Sequence, residues 1–398
     1  MSAGGHPRGA VGLTLLLALG CIVNGARVVE ACRPTVPLFD HAVLLADMLH
    51  HPPHLFRGHN EHLPVLPRLV FQLEAWLTDG NTWVGVVAGV SALFGGAALV
   101  CRVWRPGRLV WGVVLAAALL RPSLAWAVSW PTNVQYTLAW LGAGVAALGL
   151  AQGRVWLGGL GAVMAGLSSA EGWLVLPLMA GAEAILGRRS RALGWALVTV
   201  VAAALATLAD TAHSGLSWPG DGDELEAALV FVGRLLAFPW SVKLAAAVAM
   251  PFVGWTVWRL RRDPKVDPSL AFAAVYGLGF TGLVVVGRWW LPDVAHRYAF
   301  GPTIAVVTGL LAVAGGGLAG RDRAWLALGI AAVLGVESAW LAPDVVGHCR
   351  AETPAGTPFW MGVSDDGRSA HPGYDPSIAL ELRTHLWDWG LYRPRESP

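Results

Sequence analysis

The stretch Thr82–Arg105, TWVGVVAGVSALFGGAALVCRVWR, decides the fold. From Trp83 to Cys101 it carries no charged residue, and at about 1.5 Å of rise per residue a helix of that length spans the roughly 30 Å hydrocarbon core of a bilayer. Arg102 and Arg105 close it. The same device recurs at Arg188-Arg189-Ser190-Arg191, Arg259-Leu260-Arg261-Arg262 and Arg321-Asp322-Arg323, each time behind an apolar run. Composition agrees: of 398 residues 55% are hydrophobic and only 14% charged, with a mean hydropathy of +0.54, which excludes the soluble class and points to an all-α, polytopic membrane protein.

Working outward, the basic loops are short and the acids lie mainly in the other set of loops. The rule that short Lys- and Arg-rich loops stay cytoplasmic then predicts about eleven spans. They fall near 11–29, 82–101, 109–128, 134–151, 155–168, 172–186, 192–210, 238–258, 269–287, 303–319 and 324–341. The fifth and sixth are short, as partial or tilted spans would be. This places the N-terminus in the cytoplasm and the C-terminus outside a plasma membrane. The first run follows Arg8 but lacks a small-residue cleavage pattern at its exit, so it reads as a retained anchor. No repeat or linker divides the chain. Residues 1–341 read as one membrane domain with a large first outer loop at 30–80, and residues 342–398 as an outer tail.

Four cysteines are present. Cys21 and Cys101 fall within spans, where a thiol behaves as a small apolar group. Cys32 follows the first span and Cys349 the last, so both would face an oxidising compartment and form a candidate disulfide.

The segment Thr35–Arg68, TVPLFDHAVLLADMLHHPPHLFRGHNEHLPVLPR, interrupts the apolar pattern. Six of the chain's 12 histidines lie in it, with Asp40, Asp47 and Glu61. Ionisable groups gathered beside a bilayer are costly unless they pair or act, so the segment is the candidate site. Prolines 34, 37, 52 and 53 divide it into short helices near Asp40–His51 and Leu63–Trp76. A shielded carboxylate at Asp40 suits a general base toward a hydroxyl, and the same residue suits a helix N-cap before Ala42-Val43-Leu44. His59 and His62 are three apart and share a helical face. That spacing fits a divalent metal, hydrogen bonds from the pair and Glu61 to a ligand, or a cluster that only holds the loop. No other cofactor is implied. The 21 tryptophans gather at span ends, as interfacial anchors do. Glu183 and Glu337 fall in or near spans and need partners there.

The order of first span, Val36-Pro37-Leu38-Phe39-Asp40, then Gly58-His59-Asn60-Glu61-His62 and Pro67-Arg68-Leu69 resembles bacterial polytopic proteins similar to GT-C-type glycosyltransferases. Two weaker likenesses are Ser168-Ser169-Ala170-Glu171-Gly172 at the outer end of a middle span and His296-Arg297-Tyr298 in a later outer loop. The chain departs from that pattern in Phe39-Asp40-His41-Ala42, which has one acid fewer, and in Leu63 after the His-Asn-Glu-His run. Trp130-Pro131-Thr132-Asn133-Val134-Gln135 keeps an Asn and a Gln of the usual run there.

The resemblance implies a GT-C-like fold and transfer of a sugar from a polyprenyl-phosphate donor to a lipid or glycan acceptor at the outer face of the bacterial inner membrane. It makes Asp40 the catalytic base, with Glu61 beside it. His41, His59, Asn60, His62, Arg68, Asn133, Gln135, Glu171, Arg297 and Tyr298 would contact substrates. Arg297 suits the donor phosphate because a guanidinium fork makes paired, charge-assisted hydrogen bonds. The lipid bilayer is a partner and nucleic acid is not. A silent relative that binds lipid or glycan is the alternative, and a transporter a further one; the concentration of polar groups in loops and the lack of paired halves count against transport.

Overall fold

The computed structural model describes residues 8–33, 44, 64–78, 82–105, 107–208, 226, 267–288, 296–317 and 320–352. It is all-helical, with no strand among the described residues. In chain order the helices are α1 (Arg8–Cys32), α2 (Val65–Thr78), α3 (Trp83–Cys101), α4 (Leu109–Leu119), α5 (Pro122–Ser129), α6 (Val134–Gln152) and α7 (Val155–Gly166). They continue with α8 (Val175–Ile185), α9 (Arg189–Leu208), α10 (Pro268–Arg288), α11 (Phe300–Gly317) and α12 (Gly320–Glu352). Short 3-10 turns at Pro131–Asn133, Ala170–Leu174 and His296–Ala299 lead into α6, α8 and α11.

Among the described residues five helices are long and apolar enough to cross a membrane: α1, α3, α6, α10 and α12. The pair α4 and α5 makes a sixth if it is one span, bent by 70°. Sequence reasoning expects one continuous helix over 109–128; Pro122 supplies no N–H to the ladder, and the chain turns at Leu120-Arg121 instead. α12 also differs from its expected end at 341, running through Pro343 to Glu352. The expected span at 238–258, and the short helix expected at Asp40–His51 apart from Leu44, lie outside the described residues.

Packing follows from where the small residues fall. α1 buries Thr14, Ala18, Cys21, Gly25 and Val28, a stripe spaced three or four apart, and exposes Leu13, Leu16, Leu19 and Val23 on the opposite face. Its buried stripe runs parallel to α12: Gly335 lies against Leu17, Asn24 Nδ2 donates to Ser338 Oγ at 3.1 Å, and Cys32 is disulfide-bonded to Cys349. A crosslink of this kind contributes about 2–4 kcal/mol. α3 and α6 are also parallel, joined by Trp140 Nε1 donating to the Leu93 carbonyl at 3.1 Å. α6 and α7 are antiparallel and in backbone contact, since a Cβ at Gly142 would lie 2.6 Å from the Ala165 nitrogen. Such small-residue seams let helices attract by dispersion where lipid removes the hydrophobic drive.

The two ends of the bundle differ. One end, where α3, α6 and α8 finish, carries the arginine loops. There Asp267 receives Arg108 Nη2 at 2.8 Å and Arg102, while its other oxygen caps α10 through the Ser269 amide at 3.0 Å. Burial lowers the Arg102 pKa and the Asp267 charge offsets part of that shift. Glu183 finds its partner in Arg188, at 3.2 Å. The opposite end, where α1 stops at the disulfide, gathers α2 and all three 3-10 turns.

Candidate functional site

The site is built at that second end, and α2 sets its character. Its buried residues are Val65, Pro67, Arg68, Phe71 and Glu74, whereas Leu69, Leu73, Trp76 and Leu77 are exposed. Arg68, Phe71 and Glu74 are three apart, so they form one helical stripe. The helix therefore turns its charges inward and its apolar face outward, the reverse of a helix on a water-soluble protein. Arg68 and Glu74 are both 0% exposed, a placement that costs several kcal/mol unless each charge is met by polar neighbours. The Leu66 amide donates to the Leu167 carbonyl at 3.0 Å, which docks the start of α2 beside the Ser168–Gly172 turn.

Glu74 also organises the start of α3. Its Oε2 accepts the Gly85 amide at 2.8 Å, so a carboxylate from one helix satisfies an N-terminal amide of the next. Arg33, at the end of α1, donates to Thr82 Oγ1 at 2.9 Å and lies 4.3 Å over the Trp83 ring. Burial lowers the Arg33 pKa, with the Glu74 charge opposing that shift.

The residues singled out in the sequence distribute as follows. Asp40, His41, His59, Asn60, Glu61 and His62 lie outside the described residues, and so does the Arg297 side chain. Arg68, Asn133, Gln135, Glu171 and Tyr298 all lie at the α2 end of the bundle, four of them buried and Gln135 half-buried. Asn133 has a structural task, because its Nδ2 donates at 2.6 Å to the Ala127 carbonyl, which also accepts the Trp130 amide at 3.3 Å where α5 ends. Glu171 opens the Ala170–Leu174 turn and is 7% exposed. Among the described residues no group of three His, Cys, Asp or Glu side chains is placed to hold a metal.

A second polar centre lies at the bend between α4 and α5, which sequence reasoning passed over. Arg121 Nη2 donates to Thr303 Oγ1 at 3.2 Å, and Arg121 Nη1 lies 3.5 Å from Glu337 Oε2. Ser123 Oγ donates to Glu337 Oε1 at 3.4 Å. The pair is 9% and 3% exposed, so it is a buried ion pair joining the bend to α11 and α12. Gly25 of α1 lies against this bend, where any side chain would overlap the Leu120 carbonyl. The signal in the sequence was Arg121-Pro122 itself, a charge and a helix breaker in an otherwise apolar run.

The chain matches no family model, no curated protein and no solved structure.

Proposed function

We propose that the chain is a GT-C-like membrane glycosyltransferase of about eleven spans, transferring a sugar from a polyprenyl-phosphate donor to a lipid or glycan acceptor at the outer face of the bacterial inner membrane. In this orientation the arginine loops are cytoplasmic and the α2 end is extracytoplasmic. One observation carries the reading: α2 buries Arg68 and Glu74 while presenting Leu69, Leu73, Trp76 and Leu77 outward. An interfacial helix with its apolar face in lipid and its charges turned toward the bundle suits a centre that takes a polar head group from a lipid-borne substrate.

In the proposed reaction Asp40 removes the proton of the acceptor hydroxyl as that oxygen attacks the anomeric carbon. The bond from that carbon to the phosphate oxygen breaks, and the polyprenyl phosphate leaves with the electron pair, giving inversion. Glu61, His59 and His62 orient the acceptor or hold a divalent ion. Arg68 and Arg297 would meet the charge on the departing phosphate. A binding protein without turnover remains the competing reading, supported by the single acid in Phe39-Asp40-His41-Ala42. Among the described residues, the Arg121–Glu337 pair in a bent span favours a transporter instead.

The test is transfer by the purified full chain from a panel of polyprenyl-phosphate sugars, with Asp40→Asn and Glu61→Gln measured separately. The proposal expects turnover with at least one donor and its loss in Asp40→Asn with folding retained. Full activity in both variants removes the assigned roles, and binding without transfer across the panel selects the silent relative.

A further inference from the structure

The loop between α3 and α4 gathers three arginines around one carboxylate. Arg102 ends α3 in the left-handed conformation, φ 52° and ψ 58°, a place that glycine usually takes. Beyond it the Arg105 amide donates to the Arg102 carbonyl at 2.9 Å, and the Arg108 amide to the Arg105 carbonyl at 3.1 Å. A turn closed in this way holds its first and fourth Cα atoms within about 7 Å. Arg102 and Arg108 meet again at their side chains, since both reach the same oxygen of Asp267, Arg108 at 2.8 Å. The three cations therefore share one small space.

Asp267 answers only part of their charge. Its second oxygen is taken by the Ser269 and Leu270 amides at the start of α10, at 3.0 and 3.5 Å. Arg105 is exposed and has no acidic partner among the described residues. Arg108 is held in place, with its guanidinium 4.5 Å from the centre of the Trp111 ring, yet its side chain is 20% exposed. Arg108 Nη1 and, behind it, Arg102 Nε have no hydrogen-bond partner among the described residues. A fixed arginine with a donor to spare, one turn from a free one, suits an anion with several oxygens. Phosphate fits, because each guanidinium fork gives it charge-assisted hydrogen bonds.

The surroundings select the source of the phosphate. Trp104 and Leu109, 56% and 57% exposed, stand next to Arg105 and Arg108 in the chain, at the end of a helix long and apolar enough to cross a membrane. A tryptophan at such an end sits at head-group level. A phospholipid brings acyl chains to these apolar neighbours and its phosphate to the arginines, whereas a free anion would leave the apolar surface bare.

We propose that Arg105 and Arg108, backed by Arg102 and Asp267, form a binding site for the phosphate of an anionic phospholipid in the leaflet at the arginine-loop end. The bound lipid neutralises the excess charge of the loop and fixes α3, α4 and α10 at that membrane surface. The site is separate from the α2 end and does not depend on sugar transfer.

The experiment titrates the detergent-solubilised full chain with phosphatidylglycerol and with phosphatidylcholine and reads bound lipid by native mass spectrometry. The parent prefers phosphatidylglycerol. Arg105→Gln, a change at an exposed residue that leaves the fold intact, lowers the preference about fivefold, the value of one basic residue at an anionic surface. Adding Arg108→Gln lowers it about 25-fold in all. Arg191→Gln removes an exposed arginine that serves the Gly153 carbonyl at the same end, and it leaves the preference unchanged. An equal fall in Arg191→Gln would show diffuse charge rather than a site and would overturn the proposal. Displacement of phosphatidylglycerol by equimolar inorganic phosphate would identify a free-anion site and overturn it as well. So would a parent that binds the two lipids equally, whatever its transfer activity.

Discussion

At the arginine-loop end, charges serve helix ends. Asp267 caps α10 and takes two arginines, while Arg188 donates to the Leu150 carbonyl in the last turn of α6 and Arg191 to the carbonyl of Gly153 just past it. At the α2 end, charges are carried away from solvent: Arg68 and Glu74 sit on the buried stripe of a helix whose apolar face points outward. Among the described residues both ends bury Arg and Asp or Glu, but the arginine-loop end pairs its buried acids Asp267 and Glu183 with arginines, whereas the α2 end sets Arg68 and Glu74 on one buried helical stripe. Under the proposed function that contrast separates an end that fixes architecture from the end that receives the donor's polar head group.

The comparison can be broken first at the bend beneath the α2 end. Glu337→Ala leaves Arg121 buried without its carboxylate and is expected to cost about 3–5 kcal/mol, while the double change Arg121→Met with Glu337→Met recovers most of it. Equal losses in the single and double variants, measured by thermal unfolding, would mean that the two residues are not coupled. Next, Asp267→Ala at the arginine-loop end removes a cap and a partner for two arginines, and is expected to cost about 2–4 kcal/mol with affinity for sugar-bearing lipid unchanged. A fall in that affinity at equal folded fraction would erase the distinction between the ends. Smallest is Gly142→Val, which forces α6 away from Ala165 and should cost about 1–3 kcal/mol, destabilising both ends alike. Selective loss at one end, read by hydrogen exchange, would show that the bundle does not transmit the strain.

Much of the scaffold was legible because apolar runs stop at arginines. The expected spans at 82–101 and 134–151 correspond to Trp83–Cys101 and Val134–Gln152, and the cysteines set just beyond the first and last spans are bonded. The bend was not read, although Arg121-Pro122 announced it, since average hydropathy over 109–128 hides one charge and one proline. Glu337 was recognised as needing a partner that local pattern does not identify; Ser123, which binds it, is 214 residues away. Arg68 was singled out from its motif, but its burial depends on α2 docking at Leu167. Ser169 was quoted only as part of a turn, and Tyr276 reads as one more aromatic in a span. That neither hydroxyl has a hydrogen-bond partner among the described residues is a property of packing. Asp40 and the His59–His62 run lie outside the described residues, so their roles rest on the sequence.

The most direct measurement is sugar transfer by the parent, Asp40→Asn and Asp267→Asn at matched folded fraction. General-base removal predicts a drop of about 10²–10⁴-fold for Asp40→Asn, and the account predicts that Asp267→Asn turns over like the parent. An Asp40→Asn protein as active as the parent would contradict it.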